Sequence, residues 1–547
     1  MWPGWRKIGN QASWRGTAAA LVFLALLHGL TMWKVSPKNF TGVDEWLYLS
    51  LGSKMLFGFP HSNRPFTLLW SLPAVWLFPN SFLGYHVLHI AYLFGSGVLV
   101  FWLCRRLAPT QPLFALLSAA FTLTWVPRDM ARLATVQACM NSSVLCIALL
   151  AIVALVESWI RRRVALLALA ALLAFMSARS YEAVLALLSG APLLLFWMGP
   201  VERKRLWRWV LGWEAAVAIA GLCAVWPLIH KGAAASYQLG VLGMDLNVRR
   251  YALRLGWQYA EHLVPLVAFH WRDLAYVWVW VVAGVFACGL LLGSRHEPAG
   301  GDRETSRQLA GLGLLGLVLA GLGYAVIIAS ASVRNATRTQ ILSAPGVAMF
   351  LASLLLLVRR TMPRRWRQIP LLVGGLCVVA LGTANTLAMQ RVWDRTSYYS
   401  AQMACLRQMT AIAPDLAPNT LVLLIDQPRA WPYSLAFRHA VDYLYRGHCT
   451  AHVLGAEPLL YDLASSGGRL ESLPWPMVRR AWGEQASRHE VSETVVFRFD
   501  LKGRLTLLDQ WPPPLASFVA DPKAYAPARR IRSLGTPDPR RRILGSS

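Results

Sequence analysis

Apolar residues in this chain come in long runs separated by short polar stretches. The first covers 16–33, and ten more follow at 84–104, 112–127, 139–158, 164–178, 183–199, 209–229, 275–293, 308–330, 344–358 and 369–389. A helix needs about 20 apolar residues to cross a bilayer, so this pattern predicts eleven membrane spans, several of them short. The segment 66–79 is apolar but too short to cross and is broken by Pro73, which fits a helix lying at the interface with Trp70 and Trp76 at headgroup level. After Gln390 the texture changes. Stretches 398–412 and 433–445 read as helices, 420–425 as a buried strand, and 494–499 with 504–508 as a hairpin about Lys502-Gly503. The expected fold is therefore an all-α polytopic membrane region over 1–389, a small α/β domain over 390–525, and a disordered tail over 526–547 that is rich in Arg and Pro. The chain has no internal repeat and no phosphate-cradling glycine motif.

Composition agrees with a membrane protein. Of 547 residues, 56% are hydrophobic and only 15% charged, with a mean hydropathy of +0.42. The net charge of +27 does not imply nucleic acid, because the basic residues cluster between apolar runs. Arg105-Arg106, Arg161-Arg162-Arg163, Arg203-Lys204-Arg205 and the run 359–367 mark cytoplasmic loops. The first run follows basic residues as a signal peptide would, but no small-residue cleavage site follows it, so it reads as an uncleaved span. Threading from a cytoplasmic N-terminus puts 35–83, 128–138, 230–274, 331–343 and everything after Gln390 outside. The eight cysteines form no CxxC pair or Cys/His cluster. Cys405 and Cys449, in the polar C-terminal region, are placed where a disulfide could form.

Against this background a few polar residues stand out. Asp44-Glu45 lies in the first outside loop, just before the apolar Trp46-Leu47-Tyr48-Leu49. It reads either as a reactive carboxylate pair beside an apolar wall or as ordinary acidic residues in a helix first turn. Arg64, near His61, reads as a phosphate-binding group or as a snorkelling anchor. Glu182 opens the sixth span, where a carboxylate is retained with a partner or a cavity, or simply as a helix N-terminal charge in the headgroup zone. His86 and His89, three apart on one helix face, have no third metal ligand in the sequence and read as a polar stripe. Arg249, Arg250 and Arg254 lie on an amphipathic stretch, 248–264, suited to the membrane surface or to covering a cleft.

Four stretches carry a family resemblance. They are Asp44-Glu45; Asn63-Arg64-Pro65-Phe66-Thr67 with Gly84-Tyr85-His86-Val87-Leu88-His89; Ser180-Tyr181-Glu182-Ala183; and Ala336-Thr337-Arg338-Thr339-Gln340-Ile341-Leu342-Ser343-Ala344-Pro345-Gly346. In this order, over roughly 16–360, the chain resembles the GT-C superfamily of polytopic glycosyltransferases. It is most similar to the protein O-mannosyltransferases, including transmembrane forms with tetratricopeptide tails. The resemblance implies a polyprenyl-phosphate-linked sugar donor and an acceptor glycan, lipid or protein. It also implies sugar transfer on the extracytoplasmic face of an inner or plasma membrane. By the same resemblance Asp44 would deprotonate the acceptor hydroxyl with Glu45 in support, and Arg338, with Arg334 one turn earlier, would bind the donor phosphate. No cofactor is required, although a divalent metal serves some members. The chain departs from the pattern at Trp125-Val126-Pro127-Arg128-Asp129, where relatives carry His-Pro and a Glu. Asp129 either replaces that acidic residue or pairs with Arg128 or Arg132. The expected tetratricopeptide helices do not follow. Two alternative functions remain: an O-antigen ligase or polymerase relying on basic loop residues such as Arg249 and Arg250, and a non-enzymatic lipid or glycan transporter, which would show paired half-repeats.

Overall fold

The computed structural model describes residues 14–52, 64–67, 69–125, 132–199, 203–231, 247–264, 271–294, 302–329, 340–476, 478–479, 483–533 and 538–545. Its helices, in chain order, are α1 (Trp14–Met32), α2 (Asp44–Gly52), α3 (Leu72–Leu77), α4 (Leu83–Leu107), α5 (Pro112–Thr124), α6 (Thr135–Arg161), α7 (Val164–Ser180), α8 (Leu185–Gly190) and α9 (Pro192–Met198). They continue as α10 (Arg203–Lys231), α11 (Val248–Leu263), α12 (Val277–Ser294), α13 (Asp302–Ile328), α14 (Gln340–Thr361), α15 (Gln368–Thr396), α16 (Tyr399–Ile412) and α17 (Ser434–Leu444).

Among the described residues six helical stretches are long and apolar enough to cross a membrane: Leu83–Leu107, Thr135–Arg161, Arg203–Ala224, Glu304–Ile328, Gln340–Thr361 and Gln368–Ile412. Shorter apolar helices, Gly16–Met32, Pro112–Thr124, Val164–Ser180, Glu182–Met198 and Val277–Leu291, occupy the other expected spans. At about 1.5 Å per residue these fall short of a ~30 Å hydrocarbon core. Length alone therefore supports six crossings where the hydropathy pattern implied eleven. Leu172, Leu211, Leu222 and Val373 face outward and are more than half exposed, as lipid-facing residues are.

Inside the bundle the helices meet through small residues. A Cβ on Gly346 of α14 would lie 2.4 Å from the Gly316 carbonyl oxygen of α13, and Ser343 Oγ donates to the Ala320 carbonyl at 2.8 Å. Without a hydrophobic drive between helices in lipid, close backbone approach and such hydrogen bonds hold them together. At the end of the bundle carrying the basic clusters, Glu157 of α6 accepts from Arg106 at 2.6 Å and Arg161 at 2.7 Å. The short helix α3 follows a 3₁₀ turn at Leu69–Ser71 and leaves Trp76 and Leu77 exposed, in keeping with an interfacial segment.

The last span overruns its expected end, because α15 continues to Thr396 before the chain turns into α16. Beyond it lie β1 (Asp415–Leu416), β2 (Thr420–Asp426), β3 (Cys449–Leu454), β4 (Tyr461–Ser466), β5 (Arg469–Pro474), β6 (Ser487–His489), β7 (Thr494–Phe499), β8 (Leu505–Leu507) and β9 (Ile531–Arg532). The main sheet has the order β3-β2-β7-β8, with β2 parallel to both neighbours and β8 antiparallel. β2 is central because Leu421 to Leu424 are apolar on both faces and fully buried. The β7–β8 hairpin turns where expected, at Gly503 with φ +73°.

Two expectations fail here. The segment 526–547 is not a disordered tail in its described part. β9 pairs with β1, Arg446 binds Asp538 at 2.7 Å, and Ile543 and Leu544 are buried in the domain core. The high Arg and Pro content concealed apolar residues spaced to reach that core. Cys405 and Cys449 are both buried free thiols, on α16 and β3. One face of the C-terminal sheet has a core of its own, with Leu421, Leu423, Val496 and Trp511, whereas the other shares a core with the first loop. Trp46, Leu47, Leu49 and Leu51 of α2 pack in one cluster with Trp431, Phe437 and Leu444. Trp46 Nε1 donates to Gln402 at 3.1 Å, and Ser50 Oγ to Asp442 at 2.7 Å.

Candidate active site

The site is built from the start of α2. Glu45, the second residue of that helix, reaches back over the preceding loop and accepts from Thr41 N at 2.7 Å and Gly42 N at 3.1 Å, with Thr41 Oγ1 at 3.0 Å. Its carboxylate is fully buried and fixes the loop. Gly42 is required there twice over: its φ is +79°, and a Cβ would lie 2.7 Å from the Tyr398 ring. Gly42→Ala is expected to lower stability by about 1–3 kcal/mol and to displace Asp44; an unchanged melting temperature would refute that contact.

Burial raises the Glu45 carboxyl from 4.5 to about 7, with the Thr41 N–H opposing and the Asp44 charge adding to the rise. The folded protein thus holds a proton that the unfolded chain releases above its own value near 4.5. Stability is expected to fall as pH rises from 4.5 to about 7 and to level off above, by on the order of 3 kcal/mol. Thermal unfolding across that window in wild type and Glu45→Gln checks this, since the variant should lose the slope.

Asp44, one position earlier, faces the other way. With Tyr48 one turn on, it lines a hollow of about 320 Å³. Arg64 and Thr67 line the same hollow, together with Ser180 and Tyr181 at the end of α7. Arg64 is held firmly: its Nε donates to Glu182 Oε2 at 2.8 Å, its Nη2 to Oε1 at 2.5 Å, and its guanidinium lies 4.6 Å over the Tyr181 ring. This planar two-point contact keeps the side chain beside the hollow; burial works to lower the guanidinium pKa, but the Glu182 charge and hydrogen bonds outweigh it and raise it. Thr67 Oγ1 donates to the Ser180 carbonyl at 2.9 Å and Trp70 Nε1 to Ser180 Oγ at 2.8 Å, locking the Arg64 segment to the end of α7. Gln137 and Asn141, one turn apart on α6, line it as well. Tyr433, Leu435, Glu457, Leu459 and Leu460 of the C-terminal region complete the lining.

Of the residues singled out in the sequence, Asp44 and Arg64 thus share one hollow, and Glu182 stands behind Arg64 as its counter-ion. Glu45 does not join the lining and turns into the loop. His61, Asp129, Arg334 and Arg338 lie outside the described residues. His89 is buried against α6, where its Nδ1 hydrogen-bonds Ser142 Oγ at 3.0 Å. Arg249 and Arg250 are exposed on α11 and do not line the hollow. The sequence reading missed Gln137, Asn141, Tyr433 and Glu457. The α6 pair carries the i, i+4 spacing of one helix face; the other two lie in loops with no local signal.

No family model matches the chain, and no curated protein matches it. Among solved structures it is similar to the crystal structure of ArnT from Cupriavidus metallidurans bound to undecaprenyl phosphate. That likeness has a TM-score of 0.39 at 14% identity and covers 80% of this chain and 86% of that one. A likeness of that extent leaves the functional reading to the residues themselves.

Proposed function

We propose that the chain is an integral-membrane glycosyltransferase of GT-C type that moves a sugar from a polyprenyl-phosphate donor to an acceptor hydroxyl on the extracytoplasmic face. The observation that carries this reading is the shared hollow: a carboxylate, Asp44, and a firmly held guanidinium, Arg64, line one cavity beside the ends of apolar helices. In the reaction the acceptor O–H gives its proton to the Asp44 carboxylate as its oxygen bonds to the anomeric carbon. The bond from that carbon to the phosphate oxygen breaks, and the electron pair leaves with the polyprenyl phosphate. No acid is needed for so good a leaving group, so one base suffices for an inverting single displacement, unlike the paired carboxylates of glycoside hydrolysis. Arg64, with Arg334 and Arg338 by family resemblance, holds the phosphate as its charge grows. Glu45 supports the base by fixing its loop. The experiment is mass spectrometry of lipid-linked and surface glycans from cells with and without the chain. The expected result is a glycan lacking one sugar and an accumulated lipid-linked donor; identical profiles would refute the reading.

A further inference from the structure

We infer that the acceptor is a neutral, hydroxyl-rich, glycan-like molecule held by Tyr433 and Glu457, an inference that rests on the transferase reading above. Both residues line the hollow that contains Asp44. They belong to connections leaving the carboxyl ends of β2 and β3, which are adjacent and parallel, and ligands of open α/β sheets bind outside such strand ends. An isolated parallel bridge joins the two residues: Ser434 N donates to the Glu457 carbonyl at 3.3 Å, and Glu457 N to the Pro432 carbonyl at 3.2 Å. The ring and the carboxylate are therefore held side by side by main-chain bonds.

Nearby carboxylates of the domain already have partners. Glu484 binds Arg438 at 2.8 Å, Asp426 accepts from Trp431 N at 2.6 Å, and Asp442 accepts from Ser50. The Glu457 carboxylate is exposed and has no ion pair or hydrogen bond among the described residues. A carboxylate accepts two O–H groups at once, and an aromatic face covers the C–H side of a sugar ring. Gln137 and Asn141 line the same cavity, and a side-chain amide carries both donors and acceptors, as hydroxyls require. Arg64 in the same hollow disfavours a cationic acceptor, while Asp44 and Glu457 disfavour an anionic one. A neutral polyol satisfies the whole lining.

The test uses the purified full-length protein with a radiolabelled polyprenyl-phosphate hexose and two kinds of acceptor: neutral oligosaccharides and a Ser/Thr-containing peptide. Wild type should transfer to the oligosaccharides. Glu457→Gln and Tyr433→Ala should each raise the acceptor KM about tenfold or more, with the donor KM and the melting temperature within twofold and about two degrees of wild type. An unchanged acceptor KM in both variants, or transfer to the peptide alone, overturns the inference and leaves the transferase reading standing. Donor untouched by wild type with every acceptor overturns the transferase reading, and this inference with it.

Discussion

Asp44→Asn is expected to lower sugar transfer by about 100-fold or more while the protein still inserts into the membrane and folds. The amide is nearly the same size but cannot take a proton. The structural cost should be small, because the amide keeps the size and hydrogen-bonding shape of the carboxylate and loses only its charge, worth about 0.3–1 kcal/mol at a helix N-terminus. Glu45, which makes the loop contacts, is untouched. A second readout is built in. The Asp44 charge is one cause of the raised Glu45 carboxyl, so its removal should shift the loss of stability with pH to lower values. Wild-type turnover in Asp44→Asn would refute the base assignment. A collapse of its melting temperature would show instead that Asp44 is structural.

Arg64→Ala should act on stability and donor binding together. Glu182 would lose a two-point partner at the mouth of an apolar helix, where a carboxylate left without its ion pair is poorly solvated. A loss of on the order of 2 kcal/mol is expected, together with a donor KM raised at least tenfold. Adding Glu182→Gln to Arg64→Ala removes the stranded charge, so it should restore the melting temperature without restoring donor affinity. Arg64→Lys keeps the charge but loses the planar fork and the stacking on Tyr181, and it should fall between wild type and alanine. If the double variant regains donor affinity, Arg64 serves only to neutralise Glu182.

The architecture was legible wherever local composition decides it. Apolar runs located the helices of the bundle, a short continuous apolar run placed β2, the hairpin pattern placed β7, and Lys502-Gly503 announced its own turn. Span number was less secure, since hydropathy marks an apolar stretch without fixing how far it crosses. At the site, Arg64 and Glu182 were each visible as unusual charges, but nothing in a periodicity says that residues 118 positions apart will pair. Asp44 and Glu45 looked alike as a dipeptide; successive residues on a helix point about 100° apart, and only tertiary packing decided which one faced the hollow. Tyr433 and Glu457 were missed because the strand ends that bring them there are a property of sheet topology. The tail was misread because composition averaged over its few buried side chains.

One consequence of the core that α2 shares with the C-terminal sheet concerns how such chains can be recombined. A protein cut at residue 390 would strip Trp46 and Leu47 of part of their cover, and an isolated C-terminal fragment would expose the matching surface of Trp431 and Phe437. Any chimera that exchanges this sheet for another must therefore carry the first loop along as part of the graft, because the two form a single transplantable unit.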